Sequence, residues 1–289
     1  MQLSLATDQL LNANEPKRAF PLARFGSFAL RRLPGPGLAS IYLSLLVLIP
    51  LATLLSNAFS GGFSAMWDAV SDPESFASIR LALICSVVVV IINTLLGTLI
   101  AWQLVRDKFV LNRVISGIVD LPFALPTIVA GVVLLSIYGS GSPFHIDVAF
   151  TRWSLVLALS FVTLPFAVRS VQPVLSALDR EVEEAAASLG ASRFTTFRRI
   201  ILPSLAPALL TGAGLAFARA LGEYGSVSLI SGDVPFKTEV ASVRIYGLIE
   251  SDDLQAAAAV SLALFLITIV VLSLLSLARR RFVIPEEGR

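Results

Sequence analysis

The sequence predicts an all-α polytopic membrane protein. Three observations carry that prediction. Of its 289 residues, 56% are hydrophobic and only 15% are charged, whereas a soluble domain is roughly 45–50% apolar and about 25% charged. Mean hydropathy is +0.82. Six separate stretches are apolar over about 20 residues, the length that crosses a hydrocarbon core about 30 Å thick at about 1.5 Å per residue. The balance excludes a disordered chain and argues against a soluble enzyme. A single cysteine, Cys85, excludes an intrachain disulfide and a Cys-rich metal site. A single histidine, His145, removes zinc signatures that need two.

The spans follow in order. The first covers about 38–59; it starts too late and runs too long for a signal peptide, and residues 1–37 ahead of it read as a basic, Pro/Gly-punctuated tail. The second covers about 81–105. The third, about 114–138, contains LPFALP, where Pro122 and Pro126 predict a kink or break. The fourth, about 153–174, is interrupted by Pro165. The fifth covers about 204–230 and the sixth about 254–278, with a short tail over 281–289.

Charge sets the orientation, because Lys and Arg are retained on the cytoplasmic side. The N-terminal tail carries Lys17, Arg18, Arg24, Arg31 and Arg32, and the second connection Arg106, Lys108 and Arg113. The fourth connection carries Arg169, Arg180, Arg193, Arg198 and Arg199, and the C-terminus Arg279, Arg280, Arg281 and Arg289. These are 17 of the 22 cations, against four (Arg80, Arg152, Lys237, Arg244) on the opposite side. Both termini are therefore expected in the cytoplasm, which requires an even number of crossings.

The fourth connection, about 175–203, is long and polar. Leu175, Leu178, Val182, Ala186 and Leu189 recur at helical spacing and read as one amphipathic surface helix. Gly190 suits a left-handed C-terminal cap, and Ser192 an N-cap of a second short helix with Phe194, Phe197, Ile200 and Ile201 on its apolar face. Two readings compete: a helix lying on lipid headgroups, or a docking element for a soluble protein. The acidic run Glu181, Glu183 and Glu184 is poorly suited to an anionic membrane surface and favours a protein partner.

In this loop Glu184-Ala185-Ala186 is followed by three residues and Gly190, then nine residues, Ile200, one residue, and Leu202-Pro203. The pattern resembles the hallmark of permease subunits of ATP-binding-cassette (ABC) importers. The resemblance extends over about 38–280, and DLPFALPTIVAG (120–131) with AFARALGEYGSVSLISGDVPFKTE (216–239) resembles the sulfate/thiosulfate permeases, T-type subunit. It implies six transmembrane helices of the type I ABC importer permease fold with a cytoplasmic coupling-helix loop, in a bacterial inner membrane. It also implies a second permease (a W-type paralogue), two ATPase subunits and an extracytoplasmic sulfate-binding protein. Nucleic acid has no place in that assembly, and the surrounding lipid is its solvent. Glu184, Ala185, Ala186, Leu189, Gly190 and Phe194 are the ATPase-coupling residues the resemblance implies. Molybdate and tungstate permeases are the nearest alternative.

The chain's own residues agree with that expectation. They contain no G-x-x-x-x-G-K-[ST], so ATP and Mg are expected on the partner ATPase, with no cofactor, metal or catalytic residue in this chain. Charges at membrane depth are costly and face a bundle interior or wet cavity. Arg219 and Glu223, four apart on one helical face, are candidates for the pathway or a gate, or for a structural ion pair. Asp120 reads as an N-cap of the helix restarting near LPFALP, or as an Arg219 contact or gate. Tyr224, Gly225 and Ser226 are further candidates for the pathway or gate, and Gly222, Gly225, Ser226, Ser228 and Ser231 suit close packing or backbone N–H groups exposed to an oxyanion. His145 reads as solvated in an outside loop, and the fifth connection (Asp233, Glu239, Glu250, Asp252 and Asp253 against Lys237 and Arg244) as solvated and partly facing the binding protein. A secondary transporter is the remaining class; it would show internal repeats and midplane ion-binding carboxylates, and neither is evident.

Overall fold

The structure, a computed structural model, describes residues 34–107 and 110–282. The expected basic tail with Lys17, Arg18, Arg24, Arg31 and Arg32 lies outside the described residues, as do Lys108 and Arg289. The chain divides into two compact units, Met1–Ala52 and Thr53–Arg289. The described part of the first is helical and belongs to α1 (Pro34–Ala58). The second contains α2 (Gly62–Ser71), α3 (Pro73–Arg106), α4 (Asn112–Ala124), α5 (Thr127–Tyr138), α6 (Arg152–Ala177), α7 (Arg180–Ser188), α8 (Arg193–Leu221), α9 (Gly225–Ser231), α10 (Ala241–Glu250) and α11 (Leu254–Arg280).

Helices α1, α3, α6, α8 and α11 are each long and apolar enough to cross a membrane, and α4 with α5 qualifies as a bent pair. The bend is 118°, at the Leu125–Pro126 break. Pro126 has no N–H to continue α4 and disfavours helical geometry at Leu125 before it. Helix α3 starts eight residues before its apolar stretch because Asp72 caps it, accepting from the Ser75 N–H at 3.0 Å, with Pro73 in the first turn. The interruption expected at Pro165 does not occur, since α6 continues through Pro165 and Pro173. Buried packing around Pro165 holds the helix together past the missing hydrogen bond.

The central seam joins α3 to α6. Asn93 donates to the Ser160 carbonyl and to Thr163 Oγ1, both at 2.8 Å, and Thr163 in turn donates to the Leu159 carbonyl. One turn along, Gly97 packs directly on Ala167 and Val168. At the end of the helices, Arg106 reaches the Leu178 carbonyl. Positions 93, 97 and 106 thus meet 163, 167 and 178 in rising order, so α3 and α6 run in the same direction. The chain must cross back between them. The α4–α5 pair makes that return, so the bent pair counts as one crossing and the described spans number six.

Helix α8 packs antiparallel on α6, with Gly212 against Ser170 and Ala167. Helix α11 lies along α8, where Gly214 meets Leu272 and Leu275. Two cores result. One contains Val89, Leu155, Phe217, Ile230 and Val260. The other, Ala101, Val119, Val168, Val171, Leu175, Ile201 and Leu205, sits at the end of the bundle where α3 and α6 terminate, referred to below as the loop end. Burial of these side chains fixes where α6 stops and α8 begins, and so positions the loop between them.

The seam makes a direct prediction. A Cβ at position 97 would lie 2.7 Å from the Ala167 Cβ and 3.2 Å from the Val168 backbone nitrogen. Gly97→Ala should therefore destabilise by about 1–3 kcal/mol. Gly117→Ala, with nothing within 4 Å, should be neutral or stabilise by up to about 1 kcal/mol through helix propensity. Thermal unfolding of the detergent-purified protein measures both.

Candidate functional site

The loop between α6 and α8 is built from local capping. Helix α6 ends at Ala177, and the backbone at Leu178 and Asp179 is extended. Asp179 then caps α7, accepting from the Glu181 N–H at 3.0 Å. The expected single stripe from Leu175 to Leu189 is therefore divided between two helices. Leu175 is buried in α6, whereas Val182 and Leu189 are exposed. Asp179 accounts for the division, because its side chain satisfies the backbone of a new helix start better than it would serve a helix interior.

Helix α7 ends as expected. Gly190 has φ +82°, its N–H donates to the Ala187 carbonyl, and the Ala191 N–H donates to Ala186. Ser192 accepts from the Thr195 N–H at 3.2 Å and caps α8. The expected short second helix is continuous with the fifth span, through a π-helical turn at Phe197–Ile201. Within the motif, Leu189 is 90% exposed and Phe194 71% exposed, while Glu184 and Ala185 also face out. Ala186 is buried against its own chain. Two large apolar side chains held out by a well-capped turn form a surface that suits a protein contact.

A clamp from α3 holds this loop. Arg106 forms a 2.5 Å ion pair with Glu183 and lies 5.9 Å over the Trp102 ring. Arg180 donates back to the Arg106 carbonyl at 3.1 Å. Trp102 packs edge-on to Phe197. A cavity of about 420 Å³ opens beside the clamp, lined in part by Glu183, Glu184, Arg193 and Phe197. Arg106 and Trp102 escape sequence reasoning because both read as span-end residues; their partners stand 77 and 95 positions away.

The charged candidates inside the spans resolve into two pairs. Arg219 pairs with Glu223 at 2.6 Å. Glu223 also accepts from the Ser226 N–H and hydroxyl at 2.9 and 2.8 Å, its carbonyl accepts from Ser242, and only 1% of its side chain is exposed. It plugs the break between α8 and α9 as part of the bundle. The fifth span accordingly ends at Leu221 and does not run to Ile230, because Gly222 caps it and Glu223 binds the start of α9. Gly225 packs on Thr127 and Ile128, and Gly131 on Ser226, so these small residues seat α9 against α5. Tyr224 stacks on Tyr246 with centroids 4.8 Å apart.

Asp120 occupies a different setting. It lies inside α4, neither capping a helix nor touching Arg219, and it pairs with Arg169. Arg169, expected in the connection, is within α6. The apolar pattern around it, continuing through Val171, Val174 and Leu175, is the signal that places it there.

At the far end of the bundle, the fifth connection is less solvated than expected. It folds into α10, and Arg244 pairs with Glu74 at 2.9 Å and with Asp72 at 3.5 Å. Glu239 is buried beside them, and burial pushes its carboxyl up to about 7. Repulsion from Glu74 adds to the rise, Arg244 opposes it, and Asp233 adds a smaller repulsion.

Two outcomes test this geometry. Arg106→Ala removes the clamp, and a loss of ~1.4 kcal/mol would raise the open-loop population about tenfold; trypsin cleavage after Arg180 or Arg193 should accelerate to match. Glu239 holds its proton more tightly folded than unfolded. Stability should therefore fall as pH rises from about 4.5 to about 7. Glu239→Gln should flatten that slope in thermal unfolding measured across this range.

Comparison with known proteins agrees with this architecture. Residues 93–283 match the family described as binding-protein-dependent transport system inner membrane component. The chain is 40% identical over 247 residues to the sulfate transport system permease protein CysT of Synechocystis sp., covering 83% of this chain and 86% of that protein. It is 36% identical over 263 residues to the protein of the same name from Salmonella typhimurium, covering 87% and 95%. A bacterial ABC transporter involved in the import of the acidic polysaccharide alginate has the same fold, with a TM-score of 0.72 at 16% identity, covering 96% of this chain and 98% of that one. With its six crossings and its exposed loop in the matched region, the chain belongs to the binding-protein-dependent permeases of ABC importers.

Proposed function

We propose that this chain is the T-type permease subunit of an ATP-driven importer of sulfate and thiosulfate, in a bacterial inner membrane with both termini cytoplasmic. The observation that carries the cargo is identity of 35–40% across more than 80% of the chain to relatives named as sulfate transport permeases. In this reading the chain forms half of the pathway beside a W-type paralogue. It holds no ATP site; two ATPase subunits bind ATP and Mg and grip the α7 turn. A binding protein delivers the oxyanion at the far end.

The physics supports an ATP-driven machine. A negative-inside potential opposes a dianion by about 4.6 kcal/mol per 100 mV. Coupling works through one bistable element biased from both ends, by nucleotide at the loop and by loaded binding protein opposite. The exposed pair Leu189 and Phe194 enters the ATPase cleft, and Glu184 offers a charge at its rim. Gly190 keeps the turn tight: at φ +82° L-residues other than Asn or Asp are strained, although a Cβ there would meet nothing within 4 Å. The strain alone is about 1–2 kcal/mol.

The cargo test is labelled sulfate uptake in cells lacking the gene and in cells complemented with it. Uptake should require the gene, and excess thiosulfate should compete far better than molybdate. Sulfate uptake unchanged by the deletion, with molybdate uptake lost, would refute the cargo. Coupling is tested with Gly190→Asn and Gly190→Val. Asn tolerates the left-handed region and should retain most uptake, whereas Val should lower uptake and ATPase co-purification together.

A further inference from the structure

We infer that Asp120 and Arg169, with Phe123 and Phe166, form a two-layer gate on the anion route. The translocating dianion opens it by displacing Asp120 from the Arg169 guanidinium. The inference rests on the importer reading above and adds the residues that meet the cargo.

Depth and exposure come first. Arg169 lies eight residues before the end of α6, about 12 Å along the helix axis, and so within the span. Its side chain is 31% exposed and that of Asp120 is 47% exposed. In the other deep pair Arg219 is equally exposed, at 32%, but its partner Glu223 is only 1% exposed and held within the bundle, so only the Arg169 pair has an exposed carboxylate. An ion pair left open at this depth does not face hydrocarbon; it faces water or another polar surface.

The chemistry of the pair fits a tetrahedral oxyanion. Arg169 Nε donates to Asp120 Oδ1 at 2.8 Å and Nη2 donates to Oδ2 at 2.5 Å, a two-point fork. Sulfate presents two oxygens to a guanidinium in the same way. Asp120 thus occupies the position an anion would take and neutralises the arginine between turnovers. This also prevents the arginine from becoming a permanent trap. The guanidinium is held by others when Asp120 leaves: Nη2 donates to the Ser116 hydroxyl and carbonyl at 2.8 and 3.2 Å, and Nη1 to Gln172 at 2.5 Å.

The aromatic layer lies next to it. Phe123 and Phe166 meet edge-to-face with centroids 5.2 Å apart. Phe123 follows Asp120 by three residues, and Phe166 precedes Arg169 by three. Because α4 and α6 run in opposite directions, both rings are displaced the same way, toward the far end. Two residues beyond Phe123 the chain breaks at Leu125–Pro126, which gives α4 a hinge beside the gate.

The test uses the whole complex in proteoliposomes: this chain, its partner permease, the ATPase and the binding protein. Cys85 is buried, so Ser116→Cys supplies a reporter. A charged thiol reagent should modify it, and sulfate with the binding protein should slow modification; no reaction in any nucleotide state overturns the inference. The double variant Asp120→Leu with Arg169→Met removes both charges together, a change a merely structural pair tolerates. For a gate, sulfate uptake should fall on the order of tenfold to a hundredfold, the size of lost hydrogen bonds to a charged group, while ATP hydrolysis persists and no longer needs the binding protein. Normal uptake and normal dependence on the binding protein would overturn it. If the wild-type complex moves no sulfate, the cargo assignment fails, and the labelling of Ser116→Cys still decides whether this face is wet.

Discussion

Two membrane helices that run in the same direction cannot be joined by a short turn. The seam of α3 and α6 imposes that constraint, and much of the bundle follows from it. Asn93, Gly97 and Arg106 fasten the two helices in parallel register with 163, 167 and 178. The 20-odd residues of α4 and α5 must then carry the chain back. They do so with a break, and the break needs support, because backbone groups freed inside a membrane must find partners or be covered. Helix α9 covers it through the Gly131 and Gly225 contacts, and Glu223 anchors α9 to the end of α8. The close seam thus accounts for the broken crossing, the short buttressing helix, and the early end of the fifth span.

Charge is distributed by depth along that frame. At the loop end, Arg106 and Glu183 tie the loop to α3. At the far end, Arg244 gathers Asp72 and Glu74, and Glu239 is held close by. Between them, Arg219 and Arg169 are about equally exposed, but the carboxylate paired with Arg219, that of Glu223, is buried, whereas that of Asp120 is open. A pair with a buried carboxylate specifies how elements fit; it adds little net stability over an apolar replacement. The Arg169 pair differs because its carboxylate, at 47% exposure, is accessible.

The sequence foretold features governed by neighbours in the chain. Six apolar stretches, the break near Pro126, the Gly190 turn and the Ser192 cap each depend on a few consecutive residues, and each is present. Features governed by distant partners were not legible. The apolar pattern places Arg169 in a helix, but nothing in the sequence pairs it with Asp120, 49 positions earlier. Asn93 looks incidental until it meets Thr163, 70 positions later. The stripe from Leu175 to Leu189 has helical spacing, but periodicity does not reveal that Asp179 starts a new helix within it. Glu239 and Arg244 read as solvated because single-sequence reasoning cannot show that α10 folds them against the start of α3.

The π turn at Phe197–Ile201 has a mechanical meaning. A π turn is one residue inserted into an α-helix, and each residue of an α-helix advances the azimuth by about 100°. Everything on the loop side of the insertion, including Phe194 and the attached α7 turn, is therefore indexed by one tooth relative to the membrane half of α8. The exposed face of the loop and the buried face of the span are set to their relative phase by that single inserted residue. Removing one residue from that turn would restore a regular helix and swing the loop face by about 100° relative to the span.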